Sequence, residues 1–175
     1  MIDTLQIAQL GNEVLRRQAE TVDDFNDPKF QQLINTLHEM MLTANGVGIA
    51  APQVGISRQI VIIASRPTAR YPNAPEMQPV EMINPAFKVL DDTLRKDWEG
   101  CLSVPGIRAQ VPRYQSIQVS YQTRQGEFRE QMLEDFPARV FQHEFDHLQG
   151  LVFLDRVENN RDIVTESEFM KLIVA

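Results

Sequence analysis

The stretch His143-Glu144-Phe145-Asp146-His147 constrains this chain more than any other feature. Two histidines four positions apart share a face only if the segment is an α-helix. The flanking residues predict one from about Pro137 to Leu148, with Asp135 as candidate cap and Gly150 just past the end. Both imidazoles then reach one divalent ion. Glu144 lies about 100° around the axis from His143. Its carboxylate stands beside the ion without filling a coordination position, placed to take a proton from water.

Two histidines do not complete a site, because catalytic sites of this kind use three protein ligands and keep one position open. No histidine follows His147, but Glu158, Glu166 and Glu168 do, so a peptidase with a glutamate ligand fits the spacing. Upstream stands the single cysteine, Cys101, in Glu99-Gly100-Cys101-Leu102-Ser103-Val104-Pro105-Gly106. Its neighbouring glycines and proline suit a thiolate held at one geometry, and a small buried hydrophobe fits as well. Spacing alone leaves these readings open. Asp146 either orients a ligand imidazole from behind or is an exposed carboxylate. His38 has no second ligand type three or four positions away and reads as a helix-surface residue.

One cysteine forbids an internal disulfide, which fits a reducing compartment. The 175 residues predict one domain spanning 1–175, large enough for a core without disulfides or structural metals. Apolar residues at 43% and charged residues at 23% exclude disordered, collagen-like and coiled-coil chains. A net charge of −7 and a pI near 5.0 leave little to attract phosphates, so no direct nucleic-acid binding is expected. The first ten residues show no basic, then apolar, leader pattern, and no apolar run is long enough to cross a bilayer. A soluble, cytoplasmic protein with no membrane contact is the expectation.

Elsewhere the pattern predicts a short helix over Asn12–Ala19, with Val14 and Leu15 inward. A stronger one opens at Asp27-Pro28. Its apolar face is Phe30, Leu33, Ile34, Leu37, Met40, Met41 and Ala44, and Asn45-Gly46 stops it. Strands are predicted over 59–64, 80–90, 108–111 and 117–123, with a Gln125-Gly126 turn into 127–133. Segment 66–79 holds four of the ten prolines and reads as a long surface loop, a decoration rather than a cover of the cleft. A final helix is expected over about 161–172. The order of elements gives an α+β fold, with antiparallel β-sheets packed around a central helix carrying the H-E-x-x-H motif.

Three segments in order resemble the bacterial type of peptide deformylase. They are Gly46-Val47-Gly48-Ile49-Ala50-Ala51-Pro52-Gln53-Val54-Gly55, Glu99-Gly100-Cys101-Leu102-Ser103, and Gln142-His143-Glu144-Phe145-Asp146-His147-Leu148. The similarity runs from about Leu10 to Asp155. It implies a metal-dependent hydrolase that removes the N-formyl group from the formylmethionine of new polypeptides and releases formate. It implies Cys101, His143 and His147 as metal ligands and Glu144 as the proton carrier. The Gln53 side-chain amide and the Leu102 backbone N–H would face the oxyanion. Val47, Gly48 and Gly100 would line the peptide cleft, and the methionine pocket would lie near Val47, Leu102, Phe136 and Val140. Glu99 and Arg108 would contact the substrate main chain or each other. The implied cofactor is one divalent ion, Fe2+ first, with Zn2+, Ni2+ or Co2+ as replacements. The implied partners are N-formylmethionyl peptides and the ribosome near its exit tunnel.

Overall fold

The computed structural model describes residues 5–174. Among them, three helices and six strands form, in chain order, α1 (Pro28–Thr43), β1 (Gly48–Ala50), β2 (Ile60–Ser65), β3 (Met77–Cys101), β4 (Val104–Gln122), β5 (Phe128–Glu134), α2 (Asp135–Leu148), β6 (Ile163–Thr165) and α3 (Glu166–Val174). The strands pair antiparallel in the order β1-β2-β3-β4-β5, and β6 adds to β4 beside the start of that strand. The α+β expectation is met, with all six strands in one hydrogen-bonded sheet.

β2 explains why the sheet has two packed faces. Ile60, Val61, Ile62, Ile63, Ala64 and Ser65 are all buried. Alternate strand residues point to opposite faces. Ile60, Ile62 and Ala64 pack with Leu33, Ile34, Leu37 and Met41 of α1. Val61 and Ile63 pack with Ala138, Val140, Phe141 and Leu148 of α2. A strand covered on both faces has no polar side to show, hence the continuous apolar run. α1 begins where expected: the Asp27 side chain accepts from Lys29 N at 2.9 Å, with Pro28 at the first position.

Several predicted elements change. Asn12–Ala19 is only a 3-10 turn over Glu13–Arg16. Predicted strands 108–111 and 117–123 belong to one strand, β4, whose partner β3 runs on to Cys101. Pro112 hid that continuity. It falls between the stretch of β4 that pairs with β6 (107–109) and the stretch that pairs with β5 (116–122). There β4 has an open edge, where the missing N–H costs nothing. Asp135 is not a cap: Glu134 holds that position without a side-chain bond. Asp135 instead turns the chain directly from β5 into α2 with φ +49°. The last helix starts at Glu166, because 163–165 form β6. Gly150, at φ +74°, ends α2 as expected, with backbone of Arg16 and Arg17 so close that a Cβ would collide.

Candidate metal centre and cleft

Two elements supply the candidate ligands. Cys101 is the last residue of β3, and its register partner is Val104, so Leu102-Ser103 is the two-residue turn of a long hairpin. His143 and His147 face this turn from consecutive turns of α2, with ring centroids 5.3 Å apart. Cys101 Sγ lies 3.4 Å from His147 Nε2. The three ligand atoms of Cys101, His143 and His147 all fall within 4.8 Å of one another. Among the described residues no other group of three such side chains converges in this way.

The surroundings prepare these atoms for a cation. His143 Nδ1 is 2.9 Å from Glu99 Oε2, which turns the other ring nitrogen toward the cluster. Burial would raise the Cys101 thiol, but attraction to His147 and hydrogen bonds from both histidines hold it well below its ordinary value. Ser103 N and Gln53 Nε2 each point to its sulfur at 3.4 Å. The Glu144 carboxyl is pushed up to about 7 by burial, and its Oε2 has no hydrogen-bond partner. A buried carboxylate oxygen without a partner is placed to meet a further polar group in the cleft. A soft thiolate and two imidazoles form a donor set for a divalent transition metal, so the residues fit one.

Glu99 is the residue whose role the sequence concealed. It lines the cleft and makes no hydrogen bond to Arg108. Its carboxylate takes two bonds from Arg113, at 2.9 and 3.0 Å, and one from Arg139 at 3.0 Å, in addition to His143. Burial alone would raise it. The Arg113 guanidinium and the His143 hydrogen bond outweigh that and keep it ionised, far below the usual carboxylate range. Arg113 continues to Asp146 at 2.6 Å, which also holds Arg156 at 2.8 Å. Asp146 is thus buried and orients arginines, not an imidazole. The signal available in sequence was chemical: a ligand histidine needs an acceptor for its second nitrogen.

The three downstream glutamates stand elsewhere. Glu158 pairs with Lys96, Glu166 with Arg108 and Glu168 with Lys171. A glutamate ligand to this cluster is therefore not formed.

A cleft of about 270 Å³ opens beside the cluster, lined by Val47, Gly48, Gln53, Gly100, Leu102 and Glu144, among others. Phe136 and Val140 line it too, so the expected pocket residues come together. The glycines have a packing reason beyond access. A Cβ on Gly48 would come within 2.9 Å of Glu144 Cδ and Cγ, and one on Gly100 within 2.6 Å of Arg108 Nε. Gln53 accepts from Ala50 N at 2.9 Å through Oε1, which leaves its amide nitrogen facing Cys101 and Ser103. The loop after β2 is not decoration: Thr68, Arg70 and Tyr71 line the same cleft.

Fold and cluster together describe a metallohydrolase with a peptide-sized cleft. Residues 4–162 match the polypeptide deformylase family. The chain is 52% identical over 171 residues to peptide deformylase 2 of Nostoc sp., covering 98% of this chain and 96% of that one. It is 47% identical over 152 residues to peptide deformylase 2 of Shewanella oneidensis, covering 87% and 83%. Among solved structures it resembles the class I type b peptide deformylase of Acinetobacter baumannii bound to Met-Ala-Ser. The TM-score is 0.83 at 45% identity, over 90% of this chain and all (100%) of that one. A peptide deformylase of Synechococcus elongatus in complex with actinonin gives a TM-score of 0.80 at 37% identity, over 90% and 81%. The chain belongs to the polypeptide deformylase family. It is an enzyme of the metal-dependent hydrolase class whose reaction is removal of the N-formyl group from new polypeptides. No helix among the described residues is long and apolar enough to cross a membrane.

Proposed function

We propose that this chain acts as one catalytic domain on N-formylmethionyl peptides in the cytoplasm, where chains emerging from the ribosome supply them. Cys101, His143 and His147 would hold one divalent cation. The convergence of these three ligand atoms on the cleft that also holds Glu144 carries this reading. When bound, such a cation supplies Lewis acidity to the attacking water and the formyl group. Its thiolate and imidazole donors suit Fe2+, with Zn2+, Ni2+ and Co2+ able to replace it.

The chain's own residues then divide the work. Glu144 accepts a proton from the attacking water at its free Oε2 and delivers it to the departing amine. The Gln53 amide and the Leu102 backbone N–H act as neutral, preorganised donors to the developing oxyanion. β1 is the terminal strand of the sheet, so its outer edge near Val47 and Gly48 is free to pair with an extended peptide. Gly100 forms the opposite side. The methionine side chain enters the apolar space between Val47, Leu102, Phe136 and Val140.

The test is formate release from formyl-Met-Ala-Ser. Glu144→Ala should keep metal and fold but lose about 10²–10⁴ in turnover, whereas Cys101→Ser should bind metal poorly. Activity that is lost in air and kept under anaerobic preparation supports Fe2+. Unchanged activity after long aerobic exposure sinks that assignment. No formate from metal-loaded, anaerobically prepared protein rejects the reading altogether.

A further inference from the structure

Beside the cleft runs a second, solvent-open groove of about 860 Å³, extending toward Met132, Phe169 and Ile173. The two spaces share five lining residues: Arg70, Tyr71, Trp98, Phe136 and Arg139. Tyr71 and Phe136 meet across this boundary, with ring centroids 4.7 Å apart and planes tilted by 45°. The wall between the cleft and the larger space is thus aromatic, and half of it comes from the loop between β2 and β3.

Tyr71 is held there by the chain on the far side. Its hydroxyl accepts from Arg108 Nη1 at 3.1 Å and donates to Trp98 O at 3.3 Å. Arg108 is buried, and Glu166 at the start of α3 grips its other nitrogens, with Nη2–Oε1 at 3.2 Å. Phe169 of α3 lies under the same guanidinium, 5.4 Å from its carbon to the ring centre. Three separate segments fix one ring. A side chain held so firmly at the boundary between cleft and groove acts as a stop rather than as surface packing.

We propose that Tyr71 is the specificity-determining stop of the pocket for the first side chain, held in place by Arg108 and Glu166. It limits that side chain to roughly the length of methionine by closing the cleft off from the adjoining groove. The inference rests on the proposed deformylase reading, in which the first side chain enters beside Phe136.

The experiment compares kcat/KM for formate release from formyl-Met-Ala-Ser with that from the same peptide carrying an unbranched eight-carbon amino acid, 2-aminooctanoic acid, in first position. Wild-type protein should favour methionine. Tyr71→Ala should shift the ratio toward the longer side chain by about tenfold or more, the range that a methylene or two commands in an apolar pocket. Tyr71→Phe keeps the ring but loses both hydroxyl bonds, and should shift it less. An unmoved ratio in folded Tyr71→Ala overturns the inference. Should that variant not fold, Tyr71→Leu replaces it, and an unmoved ratio there overturns it equally. Inactive wild-type protein on formyl-Met-Ala-Ser overturns the underlying reading and this one with it. Active wild-type protein with an unmoved ratio overturns this one alone.

Discussion

Glu99 Oε2 and His143 Nδ1 lie 2.9 Å apart inside a buried cluster that contains Arg113 and Arg139 as well. One carboxylate thereby fixes a candidate ligand ring and neutralises two guanidinium groups. Glu99→Gln keeps the shape and removes the charge. Breaking a buried pair of this kind costs about 3–5 kcal/mol, because Arg139 loses its carboxylate partner and Arg113 keeps only Asp146. Loss of the acceptor behind His143 should also weaken metal binding about 10–100-fold. Denaturant unfolding and metal titration read the two effects separately. A variant as stable as the parent would show that the cluster does not hold the fold.

Gly48 makes a second prediction. It lines the cleft, and a Cβ added there would run into the Glu144 carboxyl group. Gly48→Ala should push the carboxylate off its position while Cys101, His143 and His147 stay where they are. Formate release should fall at least about 100-fold, the lower range for losing a placed proton carrier. Metal content should match the parent. Turnover within twofold of the parent would mean that Glu144 can move without consequence.

Gln53 joins two roles at one side chain, and they can be separated. Its Oε1 caps Ala50 N, while its Nε2 faces the cluster. Gln53→Ala should lower kcat by about 10²–10³, the effect of losing one oxyanion donor. It should also cost about 1–3 kcal/mol in stability through the orphaned Ala50 N–H. If kcat is unaffected while stability falls, Gln53 is a structural cap only.

Removing metal should destabilise the protein as well as stop it. The candidate ligands come from two elements, so an ion bound at 100 times its Kd adds about 2.7 kcal/mol to the folded state. Chelation should therefore lower Tm by several degrees, and re-addition of Fe2+ or Ni2+ should restore it. A Tm that is indifferent to chelator would argue that Cys101 is not joined to α2 through an ion.

What could be read from the residues alone follows physical lines. α1 was legible because it has one apolar face at helical period, α2 because two histidines four positions apart share a face only on a helix, and β2 because both its faces are buried. The candidate ligands were legible because cysteine and histidine are scarce here. The far half of β3 was not. Asp91, Asp92, Thr93, Leu94, Arg95, Lys96 and Asp97 are all exposed, so no alternation marks the strand. Backbone pairing to β4 holds it, helped by Lys96 on Glu158 and Asp162 and by Arg139 on Arg95 O. Tyr71 was missed for a related reason: a proline-rich segment carries no period, and its burial depends on partners 27 and 37 positions away. Glu99 and Arg113 lie 14 positions apart on neighbouring strands, a relationship that only the register creates.

The two-residue turn that ends β3 has a consequence for how the enzyme is made. Cys101 and His143 are joined by a stretch of chain that includes β4, β5 and the turn at Asp135. That stretch must reach its final pairing before thiolate and imidazole can meet, and long-range pairing is the slow part of folding. A chain still on its way carries the ligands but no site for them to share. With the proposed ligands, tight loading would therefore mark completion: the finished molecule would hold the ion best, and with it the capacity to act on chains that are themselves just being made.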